Sequence, residues 1–124
     1  MARDPRLKLK LQLVCGDDYA MGPGKAALLE AIAAHGSISA AGRALGMSYR
    51  RAWLLVDSMN RCWSTPLVST THGGPRGGGA ALTALGATVV ERYRALEAAL
   101  DRTAAGHAAL LLGDMLGTPR LHGV

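Results

Sequence analysis

The stretch SISAAGRALGMSYRRAWLLV, Ser37–Val56, decides the fold of this 124-residue chain. Ser37 and Ser39 offer N-caps for a short helix of about Ser39–Leu45, which Gly46 ends. Ser48 then offers the N-cap of a further helix that runs to about residue 62 or 64. Two helices joined by a short glycine-containing turn are typical of a helix-turn-helix, whose second helix can enter the major groove of DNA.

The second of these helices opens on Ser48, Tyr49, Arg50 and Arg51. The first residues of a recognition helix are those that reach base edges. Arginine donates two parallel hydrogen bonds to a guanine edge and also pairs with phosphate, and free N–H groups at a helix start bind phosphate as well. We therefore predict DNA contacts from these four residues and from Ser39 before them. The alternative is an ordinary helical pair with arginines on its surface.

The charge of the chain is concentrated in the same region. The net charge is +5, and five arginines face a single aspartate, Asp57, between Ser37 and Arg76. A local positive surface of this kind suits a polyanion such as a phosphate backbone. A solvated basic face without a partner is the alternative.

Periodicity predicts the elements that precede this unit. Apolar and polar residues alternate over Leu7–Leu13, which predicts a strand with one buried face. A helix is predicted from Gly22 or Pro23, where proline suits a first helical position, to about His35. Gly36 is its expected left-handed cap.

A glycine-rich hairpin is predicted after the helix-turn-helix. The segments Leu67–Thr71 and Ala80–Leu82 read as two short strands, and the glycines between them form the tip. Backbone without Cβ atoms can approach a phosphate or a minor groove closely, so Thr71, Arg76 and Gly77 are predicted to contact DNA. The alternative is a flexible turn with one stray arginine.

Thr83 opens a last long helix that is predicted to end near Ala105. Its apolar residues form a seam as narrow as that of a coiled coil, which favours contact with a partner helix. Packing of the same seam on its own domain is the alternative. The predicted dimerisation residues are Leu85, Val89, Tyr93, Leu96 and Leu100.

The sequence does not favour catalysis or nucleotide binding. The four histidines are scattered, and the nucleophile motif G-x-S-x-G is missing. The stretch GPGKA at residues 22–26 lacks the spacing of a phosphate loop and has Ala26 where magnesium binding needs Ser or Thr. Lys25 lies close to a helix start and is predicted to contact a DNA phosphate. We expect no enzymatic activity and no metal site.

The remaining features predict a cytoplasmic protein that is not bound to membranes. No apolar run approaches the roughly 18 residues that a membrane span needs, and the N-terminus lacks an apolar signal core. Cys15 and Cys62 have no metal-ligand spacing, so we expect two reduced thiols.

Two motifs in the chain resemble a known family, the molybdate-responsive transcription regulators called ModE. The first is GSISAAGRALGMSYRRAWLLVDSMN, residues 36–60, and the second is the glycine-rich run GGGAALT, residues 77–83. The two motifs occur in the same order as in the N-terminal DNA-binding domain of that family. The similarity covers about Leu7–Leu100.

The resemblance implies a fold and a function. It implies a mainly α protein with a small β wing, a winged helix-turn-helix of the LysR type with a long C-terminal dimerisation helix. It also implies a homodimer that binds an imperfect palindrome in double-stranded DNA near molybdate-transport or molybdoenzyme genes. Trp53 would be a core residue of the recognition helix and not a DNA contact.

The chain departs from the family's pattern after Ala105, where the sequence lacks the length and strand alternation of a molybdate-binding barrel domain. We therefore expect a winged helix-turn-helix domain over residues 1–106, with its dimerisation helix at about 83–105, and a tail over residues 107–124. No cofactor is required. Molybdate or tungstate is a candidate effector, with Arg76 and the glycine N–H groups or the dimer interface as candidate locations. The alternative functions are an oxyanion-binding protein and a dimerising adaptor without specific DNA binding.

Overall fold

The computed structural model describes residues 6–71 and 79–122 and has the element order of a winged helix-turn-helix followed by a long helix. The predicted fold class is confirmed. The elements are β1 (Leu13–Cys15), β2 (Asp18–Met21), α1 (Pro23–His35), α2 (Ile38–Ala44), α3 (Tyr49–Cys62), β3 (Val68–Thr70), β4 (Ala80–Leu82) and α4 (Ala84–Leu110), with a single π-helical turn at Leu111–Met115 after α4.

Most helix ends follow the predicted caps. Gly36 adopts the left-handed conformation after α1, with φ of 73°, as predicted. Ser37 rather than Ser39 caps α2, because the Oγ atom of Ser37 accepts the N–H of Ala40 at 2.9 Å. Since an N-cap side chain satisfies an otherwise unpaired N–H of the first turn, this bond fixes the start of α2 at Ile38.

The turn between α2 and α3 depends on two small residues. Gly46 has φ of 70°, which a residue with a Cβ adopts only with strain. Gly42 on α2 faces Ala52 on α3, and a Cβ at Gly42 would lie 3.1 Å from that of Ala52. The two helices therefore cross closely, which fixes the direction of α3 relative to α2.

A single apolar core lies between the three short helices, the hairpins and the first half of α4. The described residues contribute no buried polar or charged side chain to it. Its largest fully buried side chains are Met21, Leu28, Leu29, Ile32, Met59 and Leu67.

The predicted N-terminal strand over Leu7–Leu13 is wrong except at Leu13, which begins β1. Within the described residues, positions 7–12 have no strand partner, and the segment runs beside α4, where the Tyr93 hydroxyl donates to the Leu11 carbonyl at 2.7 Å. The sequence pattern missed the real hairpin, in which β1 pairs antiparallel with β2 across a turn at Gly16. Strand alternation shows which face is apolar, but a ladder forms only where a second strand is available.

The two strands after α3 pair as predicted, antiparallel, with Val68 opposite Leu82 and Thr70 opposite Ala80. They form the base of the wing, and the predicted tip lies outside the described residues. Thr83 caps α4 as predicted, because its Oγ1 accepts the N–H of Gly86 at 3.0 Å.

The long helix α4 continues to Leu110 instead of ending near Ala105, so the expected boundary at residue 106 lies inside a helix. Arg94 of α4 donates to Glu30 of α1 at 2.7 Å, which joins the two helices, and also to Glu97 within α4 at 2.8 Å. The Arg94 guanidinium lowers the pKa of the Glu30 carboxyl, and the two carboxylates raise the pKa of Arg94. Among the described helices, including this one, none is long and apolar enough to cross a membrane.

Candidate nucleic-acid interface

The first turn of α3 presents the predicted reading residues to solvent. Tyr49, Arg50 and Arg51 are all exposed. Ser48 is the N-cap, and its Oγ accepts the N–H of Arg51 at 3.1 Å, so this serine has a structural role whether or not it contacts a ligand. The prediction placed these four residues together, and the structure brings them together at one helix end.

The exposed face of α3 is a stripe formed by Arg50, Leu54, Asp57 and Arg61, which recur at helical spacing. The opposite face is buried, and Ala52, Val56 and Met59 form its centre. We call the exposed set the outer stripe. It combines two arginines with one acid and one leucine.

The acid in the outer stripe is paired with one of its arginines. Arg61 donates from Nε to the Asp57 carboxylate at 3.2 Å, and both side chains are about two-thirds exposed. An exposed pair of this kind contributes at most about 1 kcal/mol to stability. Its main effect here is to offset the negative charge that Asp57 would otherwise present to an anionic ligand.

Trp53 is not a core residue, which corrects the expectation from the family resemblance. Its side chain is 38% exposed, and its ring meets that of Tyr49 edge to face with centroids 6.1 Å apart. Ala52, the preceding residue, occupies the buried line of the helix, and a rotation of 100° per residue carries the indole towards solvent. Tyr49 and Trp53 therefore add an aromatic flank to the outer stripe.

The residues predicted outside α3 are held by hydrogen bonds within the chain. Arg43 donates to the Ser39 Oγ at 2.8 Å, so the Ser39 hydroxyl is engaged by an exposed arginine one turn along α2. Lys25 donates from Nζ to the Tyr19 carbonyl at 2.7 Å and so ties the start of α1 to β2. Arg43 is the more exposed cation, and the prediction missed it although its i, i+4 spacing from Ser39 was visible in the sequence.

Thr71 joins the two strands at the base of the wing through hydrogen bonds to Gly79. Its N–H donates to the Gly79 carbonyl, and its Oγ1 accepts the Gly79 N–H, both at 2.9 Å. Beside them, the Ala80 N–H donates to the Gly36 carbonyl at 2.8 Å, which joins the wing to the α1–α2 junction. Arg76 and Gly77, the other predicted wing contacts, lie outside the described residues.

The predicted dimerisation seam is divided by the fold. Val89 and Tyr93 are buried in the core of the chain itself, and Leu85 packs against that core. Leu96 and Leu100 are exposed by 42% and 40%. Packing on its own domain therefore accounts for the first half of the seam, and only the second half presents leucines to a partner.

The region that contains α2, the glycine turn, α3 and the β3–β4 hairpin matches a known protein family. The family described as bacterial regulatory helix-turn-helix protein, lysR family, matches residues 25–87. The chain belongs to this family. The LysR family match covers α1 from Lys25 onwards, all of α2 and α3, both strands of the wing and the first residues of α4.

Two of three relatives similar to this LysR-family chain are named for molybdenum, and the third is named as a transcriptional regulator. It is 46% identical over 82 residues to the molybdenum-pterin-binding protein MopB of Rhodobacter capsulatus, covering 66% of this chain and 30% of that protein. It is 42% identical over 98 residues to the molybdenum transport protein ModE of Azotobacter vinelandii, covering 76% and 36%. With the DNA-binding transcriptional dual regulator ModE of Escherichia coli it shares 39% over 87 residues, covering 70% and 32%.

These matches confirm the resemblance to ModE that the two sequence motifs indicated. The chain spans about a third of the length of these relatives. Across residues 6–71 and 79–122, no group of three metal-ligating side chains comes together. What this LysR-family domain offers is an exposed, basic and partly aromatic helix face beside a wing.

Proposed function

We propose that this chain is a sequence-specific transcription regulator that binds double-stranded DNA in the cytoplasm. The observation that carries the proposal is the exposed first turn of α3, where Tyr49, Arg50 and Arg51 project from a LysR-family helix-turn-helix. Side chains at that position of a recognition helix reach base edges in the major groove. The exposed Arg43 and the wing would contact the backbone on either side.

The proposed targets are molybdate-transport or molybdoenzyme genes, since relatives that share this region are named for molybdenum transport and for transcriptional regulation. Molybdate or tungstate is the proposed effector. The DNA site is an imperfect palindrome whose half-sites lie about one helical turn apart, as two-fold symmetric helix-turn-helix dimers require.

The proposed assembly is a homodimer through the second half of α4. Leu96 and Leu100 are exposed there, and Leu9 of the N-terminal segment borders the same crevice as Leu100. Burying these leucines against a second copy would remove apolar surface that the chain alone leaves in water. The resulting pair of α3 helices would read two half-sites.

The experiment is DNA binding by fluorescence anisotropy with the duplex upstream of the protein's own gene. A scrambled duplex at matched salt is the control, because affinity without a salt reference is uninterpretable. We expect selective binding that changes with molybdate. Selective binding that ignores molybdate would leave a regulator of another signal, and no preference over scrambled DNA would overturn the proposal for that site.

A second candidate is an oxyanion-binding protein or an adaptor that pairs with a longer relative without reading DNA. The name of MopB, a molybdenum-pterin-binding protein, favours the first of these. Calorimetric titration with molybdate distinguishes them, because oxyanion affinity in the absence of selective DNA binding would support the binding protein. The arginines around α3 argue against both, since neither activity needs them there.

A further inference from the structure

Leu54 lies in the centre of the outer stripe, where a polar residue would be expected. It is 56% exposed and stands one helical turn after Arg50 and two turns before Arg61. Its neighbours Tyr49 and Trp53 are exposed as well, and together these residues border an open groove of about 570 Å³ with Arg50 and Asp57. The most exposed face of the recognition helix is therefore apolar at its middle.

The surroundings of this apolar group identify the kind of partner that covers it. Arg43, Arg50 and Arg51 are exposed on α2 and α3, and Arg61 offsets the charge of Asp57, so the surface favours an anionic partner. In the major groove, the only apolar group on a base edge is the 5-methyl group of thymine. A leucine flanked by arginines therefore suits a major groove in which phosphates line the rims and a thymine methyl group lies on the floor.

The edge-to-face contact between Tyr49 and Trp53 restrains the two aromatic side chains next to Leu54. Two rings that hold each other lose less conformational freedom on binding than two free side chains would. Trp53 and Leu54 line the same open groove, so this pair of rings borders the space that the methyl group of a base would enter.

We propose that Leu54, flanked by Trp53, is a specificity-determining residue that contacts the 5-methyl group of a thymine in each half-site. The inference rests on the proposed DNA-binding function and adds the base that the apolar group reads. Residues one turn apart are about 5–6 Å apart on a helix surface, so this thymine lies within about two base pairs of the Arg50 contact.

The test begins with duplexes selected from a random library by the full-length protein. Each thymine in the protected half-site is then replaced by deoxyuridine, which lacks only the 5-methyl group. We expect one replacement to weaken binding by about fourfold, the equivalent of one buried methyl group. In Leu54→Ala the same replacement should have no effect, so the methyl dependence is lost together with the leucine.

Leu110→Ala is the matched control, because Leu110 is exposed to a similar extent, 62% against 56%, but lies at the end of α4. It should keep the fourfold methyl dependence, even if it weakens binding to both duplexes. Selective binding that no deoxyuridine replacement alters, or methyl dependence that persists in Leu54→Ala, would overturn this inference alone. A library that yields no preferred sequence would overturn the proposed function, and this inference with it.

Discussion

Asn60 on α3 is hydrogen bonded to both backbone groups of Val68 on β3. Its Oδ1 accepts the Val68 N–H at 3.1 Å, and its Nδ2 donates to the Val68 carbonyl at 3.2 Å. The same Oδ1 accepts the N–H of Leu67 at 2.8 Å. One side chain thus replaces a neighbouring strand and sets the position of the wing relative to α3.

Replacing this residue should destabilise the chain. We expect Asn60→Ala to lower the free energy of unfolding by about 1–3 kcal/mol, because partly buried backbone groups of residues 67 and 68 lose their partners. Asn60→Asp keeps the acceptor and should cost less. Urea denaturation followed by circular dichroism measures both, and equal stability of Asn60→Ala and the natural chain would contradict the role assigned to the amide.

Two glycines of α4 should respond in opposite directions to alanine. A Cβ at Gly86 would overlap the Leu67 carbonyl, whereas one at Gly106 would meet nothing within 4 Å. We expect Gly86→Ala to destabilise the fold by at least 1–3 kcal/mol, roughly the cost of overpacking. Gly106→Ala should stabilise it by about 0.5–1 kcal/mol through helix propensity. Thermal unfolding of the pair tests this, and similar melting temperatures would refute the close approach at Gly86.

Arg50→Ala should reduce discrimination between DNA sequences by about 1–3 kcal/mol at one base pair, if Arg50 makes two parallel hydrogen bonds to guanine. Arg92→Ala removes the same charge from an exposed position on α4 and serves as the control. The measurement is anisotropy on selected and scrambled duplexes at one salt concentration. Equal weakening on both duplexes would make Arg50 a phosphate contact only.

Stability should fall at high pH through Tyr93. Burial raises the pKa of Tyr93 to about 12 from an ordinary value of 10.0, so the folded chain favours the neutral phenol. The contribution of the neutral Tyr93 phenol to the free energy of unfolding is complete below about pH 10 and is lost as the pH rises through about 12.

The comparison is with Tyr93→Phe, which also lacks the hydrogen bond to Leu11. The natural chain should be more stable than this variant by about 1 kcal/mol at pH 8, and the difference should shrink by pH 11.5. Urea denaturation at the two pH values measures it, with the other tyrosines common to both chains. A difference that does not change with pH would contradict the assigned pKa.

The proposed dimer makes a separate prediction for α4. Leu96→Glu and Leu100→Glu should convert a dimer into a folded monomer, because each places a charge in an apolar interface. Val14→Glu, at a more exposed position on β1, should leave the dimer intact. Analytical ultracentrifugation gives the mass of each, and a natural chain that sediments as a monomer would rule out the interface.

Much of the helical part of the fold could be predicted, because its signals are local. Pro23 and Gly36 bound α1, and Ser48 starts α3, through backbone preferences and side-chain caps that act within one helical turn. The helix-turn-helix and its basic first turn follow from those boundaries. The hairpin β1–β2 was not predicted, because the polar residues around its turn have the composition of a loop.

The sequence by itself thus determined where α1, α3 and α4 begin and that arginines cluster on one of them. Only the tertiary structure decided which apolar residues are covered: Val89 and Tyr93 lie in the core, whereas Trp53 and Leu54 face solvent. The physical reason is that a hydrogen-bonded helix turn is fixed by its own residues, but burial depends on what other elements pack against it. The N-terminal leucines illustrate the same limit, since their alternation is real and the chain supplies α4, not a second strand, beside them.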